Sequence, residues 1–377
     1  MTSPTHRAEC TAATLYVACE LSAKEWLLTM SSGAEGKRQR VRVRPGERGV
    51  LRAALAQGTA QCGLPPDAPM RSCYEAGRDG FWPHRLLTTL GVSNVVVDSS
   101  SIEVPRRARR AKSDRLDGEK LLRMLLRYWG GEREVWHVVR VPTPAAEDAR
   151  HASRSLTTLQ GERTRYRNRI HSLLALHGVA KRRIDERFAA WLTAARDWAG
   201  EPLGEELRAR LLETWRLLQA VETERRARRR AERARVTAGS TAAAATAHRL
   251  AQLRGVAARA ATILSDELFT RDLRNRRQVG ALCGLVSAPY QSGKRRLDQG
   301  LSRSGIPAVR RIAVQLAWAW LRYQPTSAVS QWYREQFGRG GPGLRKVGIV
   351  ALARRLMIAL WRYVTADVVP AGAQLKA

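Results

Sequence analysis

Three short β-rich runs follow one another near the start of the chain, and this succession most limits the folds open to it. The runs are "TLYVAC", "WLLTMSS" and "RQRVRVR", separated by polar or Gly-containing turns. Strand-like "MRSCYEA" and "SNVVVD" come next, each after a helix-like segment, and a further helix begins near Ser113. The order strand, strand, strand, helix, strand, helix, strand, helix predicts a mixed sheet covered by helices.

This element order is the layout of the ribonuclease H-like (RuvC-like) fold, of the α/β class. We predict such a domain at residues 12–147, because two prolines in "VRVPTPAAED" interrupt the pattern. Beyond it, residues three and four apart form two series typical of long helices with a narrow apolar seam. The series are Leu156, Leu159, Arg163, Tyr166, Ile170 and Leu173, and then Leu207, Leu211, Thr214, Leu218 and Val221.

The rest of the chain predicts an α-helical continuation in two parts. Residues 148–246 read as a coiled-coil helical linker, in which "GEPLGEE" turns one helix back on the other and low-complexity "TAGSTAAAATA" forms a hinge. Residues 247–366 read as a mostly helical C-terminal domain. It contains the polar loop "SAPYQSGKRRLDQGLSRSGIP" and the apolar helix "AVRRIAVQLAWAWLRY".

The charge balance points to a polyanionic partner. The chain has 66 Lys and Arg residues against 34 Asp and Glu, a formal net charge of +32. Arginine predominates, and its planar guanidinium suits bidentate phosphate contacts, so nucleic acid is favoured over an anionic membrane. Arg354 and Arg355 interrupt the most apolar late segment, so we expect no membrane partner.

Cysteine spacing and the start of the chain bear on location. The five cysteines show no metal-ligand spacing, which favours buried thiols in a reducing compartment. The N-terminus lacks the pattern of a secretory signal. We therefore expect a cytoplasmic protein.

Two aspartates, Asp114 and Asp117, stand three residues apart directly after a basic block. Acids at a helix start can simply complement the helix dipole. In the predicted fold, however, Glu20 ends the first strand and Glu75 the fourth, beside the start of this helix. Four converging carboxylates require a cation, and oxygen ligands suit Mg²⁺ or Mn²⁺, ions that can clamp a phosphodiester. Asp98, after "VVVD", is a fifth carboxylate that could replace any of the four.

The basic block supplies candidate nucleic-acid contacts beside these acids. They are Arg106, Arg107, Arg109, Arg110 and Lys112. The arrangement suggests that the cations attract the nucleic acid and that the acids hold metal for work on it.

Several motifs resemble the DEDD transposases of a bacterial insertion-sequence family, which are guided by a bridge RNA and related to the Piv/MooV invertases. The matching segments of the first domain are "YVACELSAKEW", "CYEAGRDGFWPHRLL" and "KSDRLDGEKLLRML". Those of the C-terminal region are "LRGVAARAATILSDEL", "RRQVGALCGLVSAPYQSG" and "LSRSGIPAVRRIAVQLAW". The resemblance covers most of the chain in order. It departs from the family at Glu20, where many members carry Asp.

The resemblance implies a bacterial, metal-dependent recombinase that cuts and rejoins DNA and is associated with the nucleoid when it acts. Glu20, Glu75, Asp114 and Asp117 would hold Mg²⁺, and Ser292 in "YQSG" would attack DNA to form a phosphoserine link. Lys294, Arg295 and Arg296 follow as candidate phosphate clamps. A structured guide RNA encoded beside the gene would direct the choice of donor and target DNA. On the residues alone, Ser287, Ser302 and Ser304 are rivals of Ser292.

Two other functions fit the same residues. A Holliday-junction resolvase shares the predicted fold and acids but uses water, and it needs no long linker or C-terminal domain. A catalytically inactive nucleic-acid-binding relative would keep the basic surface alone. We also expect a homo-oligomer, a dimer that becomes a tetramer when assembled on DNA, on the ground that one hairpin cannot bury the apolar seam.

Overall fold

The computed structural model describes residues 13–103, 114–180, 183–292, 295–302 and 304–376, with the side chains of 114–115 and 288–299 outside the description. The chain divides into two compact units, residues 1–143 and 144–377. Helices of the predicted linker and of the predicted C-terminal domain lie in the same second unit. The predicted boundaries at 147 and 246 stay predictions.

A five-stranded mixed sheet forms the centre of the first unit. Its strands are β1 (Leu15–Leu21), β2 (Trp26–Ser31), β3 (Gln39–Val43), β4 (Met70–Glu75) and β5 (Ser93–Val97). Their order across the sheet is β3-β2-β1-β4-β5. Strands β1, β2 and β3 pair antiparallel, whereas β1, β4 and β5 pair parallel. The predicted succession of strands and helices is confirmed, and with it the mixed α/β sheet; the narrower RuvC-like classification stays a prediction.

Three helices cover the two faces of this sheet. They are α1 (Arg48–Gln61), α2 (Trp82–Thr89) and α3 (Asp114–Trp129). Side chains alternate along a strand, so Leu15, Val17 and Cys19 of β1 pack with the residues of α1 and α2. Ala18 of β1 and Cys73 of β4 pack with α3 on the other face. The sheet therefore has an α3 face and an α1/α2 face.

Two long helices begin the second unit, α4 (Pro144–Leu176) and α6 (Glu205–Ala238). The segment between them holds the short helix α5 (Phe188–Thr193), so the reversal spans far more than the predicted "GEPLGEE" turn. The reason is a local apolar cluster: Ile184, Phe188 and Leu192 pack with residues of both long helices.

The predicted seam is covered within this one chain. Ile170, Leu173, Leu211 and Leu218 are all buried in the same cluster. The premise that a single hairpin cannot bury the seam is wrong. Self-association itself stays a prediction, without the seam as its ground.

The remaining helices surround the largest apolar core of the second unit. They are α7 (Ala242–Gln252), α8 (Ala258–Ile263), α9 (Arg276–Leu282), α10 (Pro307–Tyr323), α11 (Ala328–Phe337) and α12 (Pro342–Ala366). The predicted alanine-rich hinge is largely wrong, because alanine has the highest helix propensity and "AAAATA" opens α7, with Thr241 as its N-cap. The turn itself is confined to the left-handed Gly239 and its neighbours.

The predicted polar loop is instead a β-hairpin. Strands β6 (Ser287–Ser292) and β7 (Arg295–Leu301) pair antiparallel, with Ser292 opposite Arg295 at the end of the pairing. The polar composition of this segment predicts a loop. The two-residue connection containing Gly between two runs is, however, a signal for a hairpin. Within the described residues, no helix has the length and apolarity needed to cross a membrane.

Candidate active site

Glu20 and Glu75 lie at the same edge of the sheet. β1 and β4 run parallel with Cys19 opposite Tyr74, so the glutamates that follow end the paired segment side by side. Each stands two residues beyond a side chain that packs against α3, namely Ala18 or Cys73. Alternation therefore places both acids on the α3 face. Glu20 is half-buried and Glu75 is exposed.

Helix α3 begins at this edge and carries the other two acids. Leu121 and Leu125 pack on the sheet, and Asp117, one turn before Leu121, lies on the same side of the helix and is half-buried. The approach is close at Gly118, where an added Cβ would lie 2.6 Å from Thr29 Oγ1. Asp114 is the first residue of α3, and its side chain lies outside the described part.

The backbone thus brings the predicted acids to one sheet edge, without a finished metal centre among the described side chains. In that part of the chain, no three His, Cys, Asp or Glu side chains are grouped closely enough to hold a metal ion. The proposed tetrad stays a prediction that includes Asp114.

Asp98 is engaged in a local turn. Its Oδ1 accepts hydrogen bonds from the Ser100 backbone N–H at 2.9 Å and from Ser100 Oγ at 2.8 Å. It caps the short 3₁₀ turn Ser99–Ser101 that follows β5. The structure therefore gives this carboxylate a structural role.

Cationic side chains on α3 extend from the acid-bearing end of the helix. Lys120, Arg123 and Arg127 recur three and four residues apart and line a cavity of about 700 Å³ together with Arg38. Arg127 is held by Glu103 and Glu132 at 2.8 and 2.7 Å. The nucleic-acid contacts predicted from the sequence are those of the basic block before α3 and do not include these cations. Their helical spacing is nevertheless visible in "DGEKLLRMLLRY". The predicted contacts Arg106, Arg107, Arg109, Arg110 and Lys112 lie outside the described residues.

Cysteine nucleophiles are disfavoured beside the acids. Burial raises the pKa of the Cys19 thiol to about 12. Burial, with Cys19 nearby, also raises the pKa of Cys73. Both thiols stay protonated and are shielded from DNA at neutral pH, as expected from the cysteine pattern.

The candidate serine lies in the second unit, on the β6–β7 hairpin. Ser292 ends β6, and its partner Arg295 begins β7, with Arg296 opposite Gln291. The side chains of all these residues are outside the description, and Lys294 lies outside the described residues altogether. The role of this group stays a prediction.

Two of the rival serines contact each other just beyond β7. Ser302 Oγ and Ser304 Oγ are 2.5 Å apart, and Arg310 Nη2 donates to the carbonyl oxygens of Ser302 and Ser304 at 3.0 and 2.6 Å. These contacts hold the base of the hairpin against α10. Ser287 is exposed at the start of β6.

Comparison with known proteins places the chain among transposases. The family described as "Transposase IS116/IS110/IS902 family" matches residues 247–331. "Putative transposase y4rJ" of Sinorhizobium fredii (strain NBRC 101917 / NGR234) is 39% identical over 96% of this chain and 94% of its own length. "Putative transposase y4qE" of the same strain is 27% identical over 70% of this chain and 61% of its own length. The chain belongs to the IS116/IS110/IS902 family of transposases.

Proposed function

We propose that this protein is a recombinase that cuts and rejoins DNA strands during transposition of an insertion sequence. Family membership supports transposition as the general activity. The observation that carries the finer proposal is the shared sheet edge, where the ends of two parallel strands and the start of α3 carry Glu20, Glu75, Asp114 and Asp117. An edge of acids on a chain of net charge +32 is suited to metal-dependent phosphodiester chemistry.

The donor set fits Mg²⁺ or Mn²⁺. All four groups are carboxylates, and hard divalent ions of this kind prefer oxygen ligands. Glu20, Glu75, Asp114 and Asp117 would hold the metal. Bound there, it would act as a Lewis acid on the phosphodiester oxygens. Lys120 and Arg123 on α3 would draw the DNA backbone toward the acids and orient it.

Ser292 is the proposed nucleophile. Its Oγ would bond to the scissile phosphorus while the bond from phosphorus to the leaving deoxyribose oxygen breaks. The hydroxyl proton passes to a nearby base, and the leaving oxygen takes up a proton. One phosphoester replaces another, so the strand can be rejoined by reversal of the step on a new end. Arg295 and Arg296 of β7, with Lys294 before them, would neutralise the charge that develops on the phosphate.

A guide RNA and a second copy of the chain complete the proposal. A structured RNA encoded beside the gene would choose donor and target DNA, as the family resemblance implies, and an arginine-rich protein can bind folded RNA through phosphate and shape. A homodimer, with a tetramer on DNA, would bring together the several strands that recombination joins.

The test uses full-length protein produced with its own locus transcribed alongside. Co-purifying RNA is sequenced, and the complex is incubated with donor and target DNA and Mg²⁺. We expect a discrete RNA from flanking non-coding DNA and a protein-linked DNA product. Ser292→Ala should abolish that product, Asp117→Asn should abolish cleavage while binding persists, and the matched control Ser287→Ala should retain both.

The two alternatives give different results in this experiment. Cleavage that survives Ser292→Ala and needs no RNA would assign the chemistry to water and the acids, as in a resolvase. This alternative is supported by the location of all four acids in the first unit, which has its own core. A wild-type protein that binds but never cleaves under any metal condition would be the inactive binding relative.

A further inference from the structure

A cationic cavity of about 480 Å³ lies in the second unit, where α4, α6, α8 and α10 meet. Four guanidinium groups line it: Arg225, Arg229, Arg259 and Arg311. The lining residues include no Asp or Glu. Like charges so arranged repel one another, so the cavity is suited to an anion.

Among the described residues, two of these arginines form ion pairs within the protein, and two do not. Arg225 donates to Glu222 at 2.7 Å, and Arg259 donates to Glu232 at 2.9 Å. Arg229 and Arg311 are exposed, and in the described part of the chain neither has a hydrogen bond or ion pair. Two such guanidinium groups lining one cavity can hold a phosphate group between them.

Gly161 on α4 opens one wall of the cavity. A glycine inside a helix is unfavourable relative to alanine, and it usually reflects a close neighbour or an unusual backbone angle. Neither applies here, because a Cβ at Gly161 would meet nothing within 4 Å, and its backbone angle is not positive. The missing side chain is explained if a ligand approaches the helix there.

The exposed face of α10 continues from the cavity. Arg311 and Gln315 line the cavity, and Trp318 and Arg322 follow on the same side of the helix at further intervals of three and four residues. Trp318 is 53% exposed, which is unusual for a tryptophan. Seven residues of α-helix place it about 10 Å along the axis from Arg311, within reach of a base near the bound phosphate.

We propose that this cavity and the exposed face of α10 bind a single strand of nucleic acid. One backbone phosphate lies between Arg229 and Arg311, with its sugar against Gly161, and a neighbouring base stacks on Trp318. Bases stack on aromatic side chains in proteins that hold single strands without reading sequence. The assignment of the anion to a nucleic-acid strand rests on the proposed function. The cationic character of the cavity is observed independently of that function.

Fluorescence anisotropy with full-length protein tests the phosphate contact. The probes are fluorescein-labelled oligothymidine and a duplex of the same length, measured in EDTA so that no cleavage occurs. Arg229→Gln with Arg311→Gln should weaken oligothymidine binding about tenfold for each guanidinium removed and lower the slope of log Kd against log salt by about 1 to 2. The matched control Arg216→Gln, an exposed arginine on α6 outside the cavity, should stay within about twofold of wild type.

Two further variants test the rest of the site. Trp318→Ala should weaken binding of oligothymidine about tenfold and leave duplex binding unchanged. Gly161→Leu should weaken strand binding without lowering Tm, because it fills open space. Gly49→Leu, at an exposed helical glycine of α1 that also has nothing within 4 Å, should leave binding unchanged.

Several outcomes would overturn the proposal. One is a folded double variant that binds oligothymidine as tightly as the Arg216→Gln control. Another is inorganic phosphate that raises the Tm of wild type alone while all variants bind the strand equally, because the cavity would then take a free anion. Since binding is measured without Mg²⁺, a protein that binds through this cavity but never cleaves DNA would refute only the proposed function.

Discussion

Gly118 sets how closely the acid-bearing helix approaches the sheet. Its missing Cβ leaves room for Thr29 Oγ1 on β2, a buried oxygen that has no hydrogen-bond partner in the described residues. We expect Gly118→Ala to cost about 1–3 kcal/mol of unfolding free energy through overpacking. The displaced start of α3 should also reduce metal-dependent cleavage by moving Asp117.

Thr29→Ala provides the matched partner for that test. It removes an unsatisfied hydroxyl, so alone it should change stability little. Combined with Gly118→Ala it should restore most of both stability and cleavage. Urea unfolding of the four proteins gives the coupling energy, and simple additivity would show that Thr29 does not limit the approach.

Gly305 fixes the base of the β6–β7 hairpin. Its φ is +95°, and an added Cβ would lie 2.7 Å from Ala281 O, Leu282 O and Gly284 N, none of which can rotate away. Gly305→Ala should therefore cost about 3 kcal/mol or more. Gly300→Ala is the control, because Gly300 has φ of +77° and open space around its Cβ position. It should cost about 1 kcal/mol in the same urea titration; equal losses would contradict the packing explanation.

At the scale of secondary structure, the first unit could be predicted because each pattern is local. Successive side chains of "TLYVAC" pack alternately against the helices on the two faces of the sheet. The polar turns mark where the chain reverses between β1, β2 and β3. The hairpin at Ser287–Leu301 could not be recognised by polarity, since its pairing depends on the register across the turn. The alanine-rich start of α7 forms a helix where a hinge is predicted, because a run of alanines has a high helix propensity.

In the candidate site, too, the features that follow from local sequence patterns were predictable, and those that depend on distant segments were not. The ends of β1 and β4 and the start of α3 follow from element order, so the shared edge of Glu20 and Glu75 was predictable. The cap role of Asp98 has a signal in the Ser residues after it, which offer local partners. The cation-lined cavity around Arg229 and Arg311 arises only when four helices distant in sequence meet.

Buried ion pairs tie the long helices to the C-terminal core. The π-helical segment Leu264–Phe269 carries Asp266, which is almost fully buried and accepts from Arg235 Nη2 of α6 at 2.7 Å. Glu267 beside it lies 3.7 Å from Arg150 Nε of α4. Two consecutive acids thus contact both arms of the hairpin.

We expect Asp266→Ala to lower the unfolding free energy by about 2–4 kcal/mol, because a partly buried guanidinium loses its counter-charge. Asp266→Ala with Arg235→Met should recover much of that loss, since paired apolar replacements leave no unmatched charge. Thermal and urea unfolding measure both. A double variant that is no more stable than Asp266→Ala would show that Arg235 has little part in the effect.

For the whole molecule, the α4–α6 seam is buried within one chain. The exposed apolar side chains to consider for self-association are at the end of the α4–α6 hairpin. Leu176 and Trp198 are 77% and 80% exposed there. Both lie at this end, because the Trp198 backbone N–H donates to the carbonyl of His177, the residue after Leu176, at 3.1 Å, and the Trp198 side chain lies against Gly178. Two large exposed apolar side chains at one end of the hairpin are typical of a contact with another protein surface.

The partner we expect at this end is a second copy, as the proposed joining of several strands requires. Wild-type protein with nucleic acid bound should have the mass of a dimer or a larger assembly by light scattering. Trp198→Glu should shift it toward monomer, because a buried charge without a partner opposes the contact. Val50→Glu introduces the same charge at another exposed apolar residue, on α1, and should leave the mass unchanged. A monomeric wild-type complex, or a dimer indifferent to Trp198→Glu, would place self-association elsewhere or exclude it.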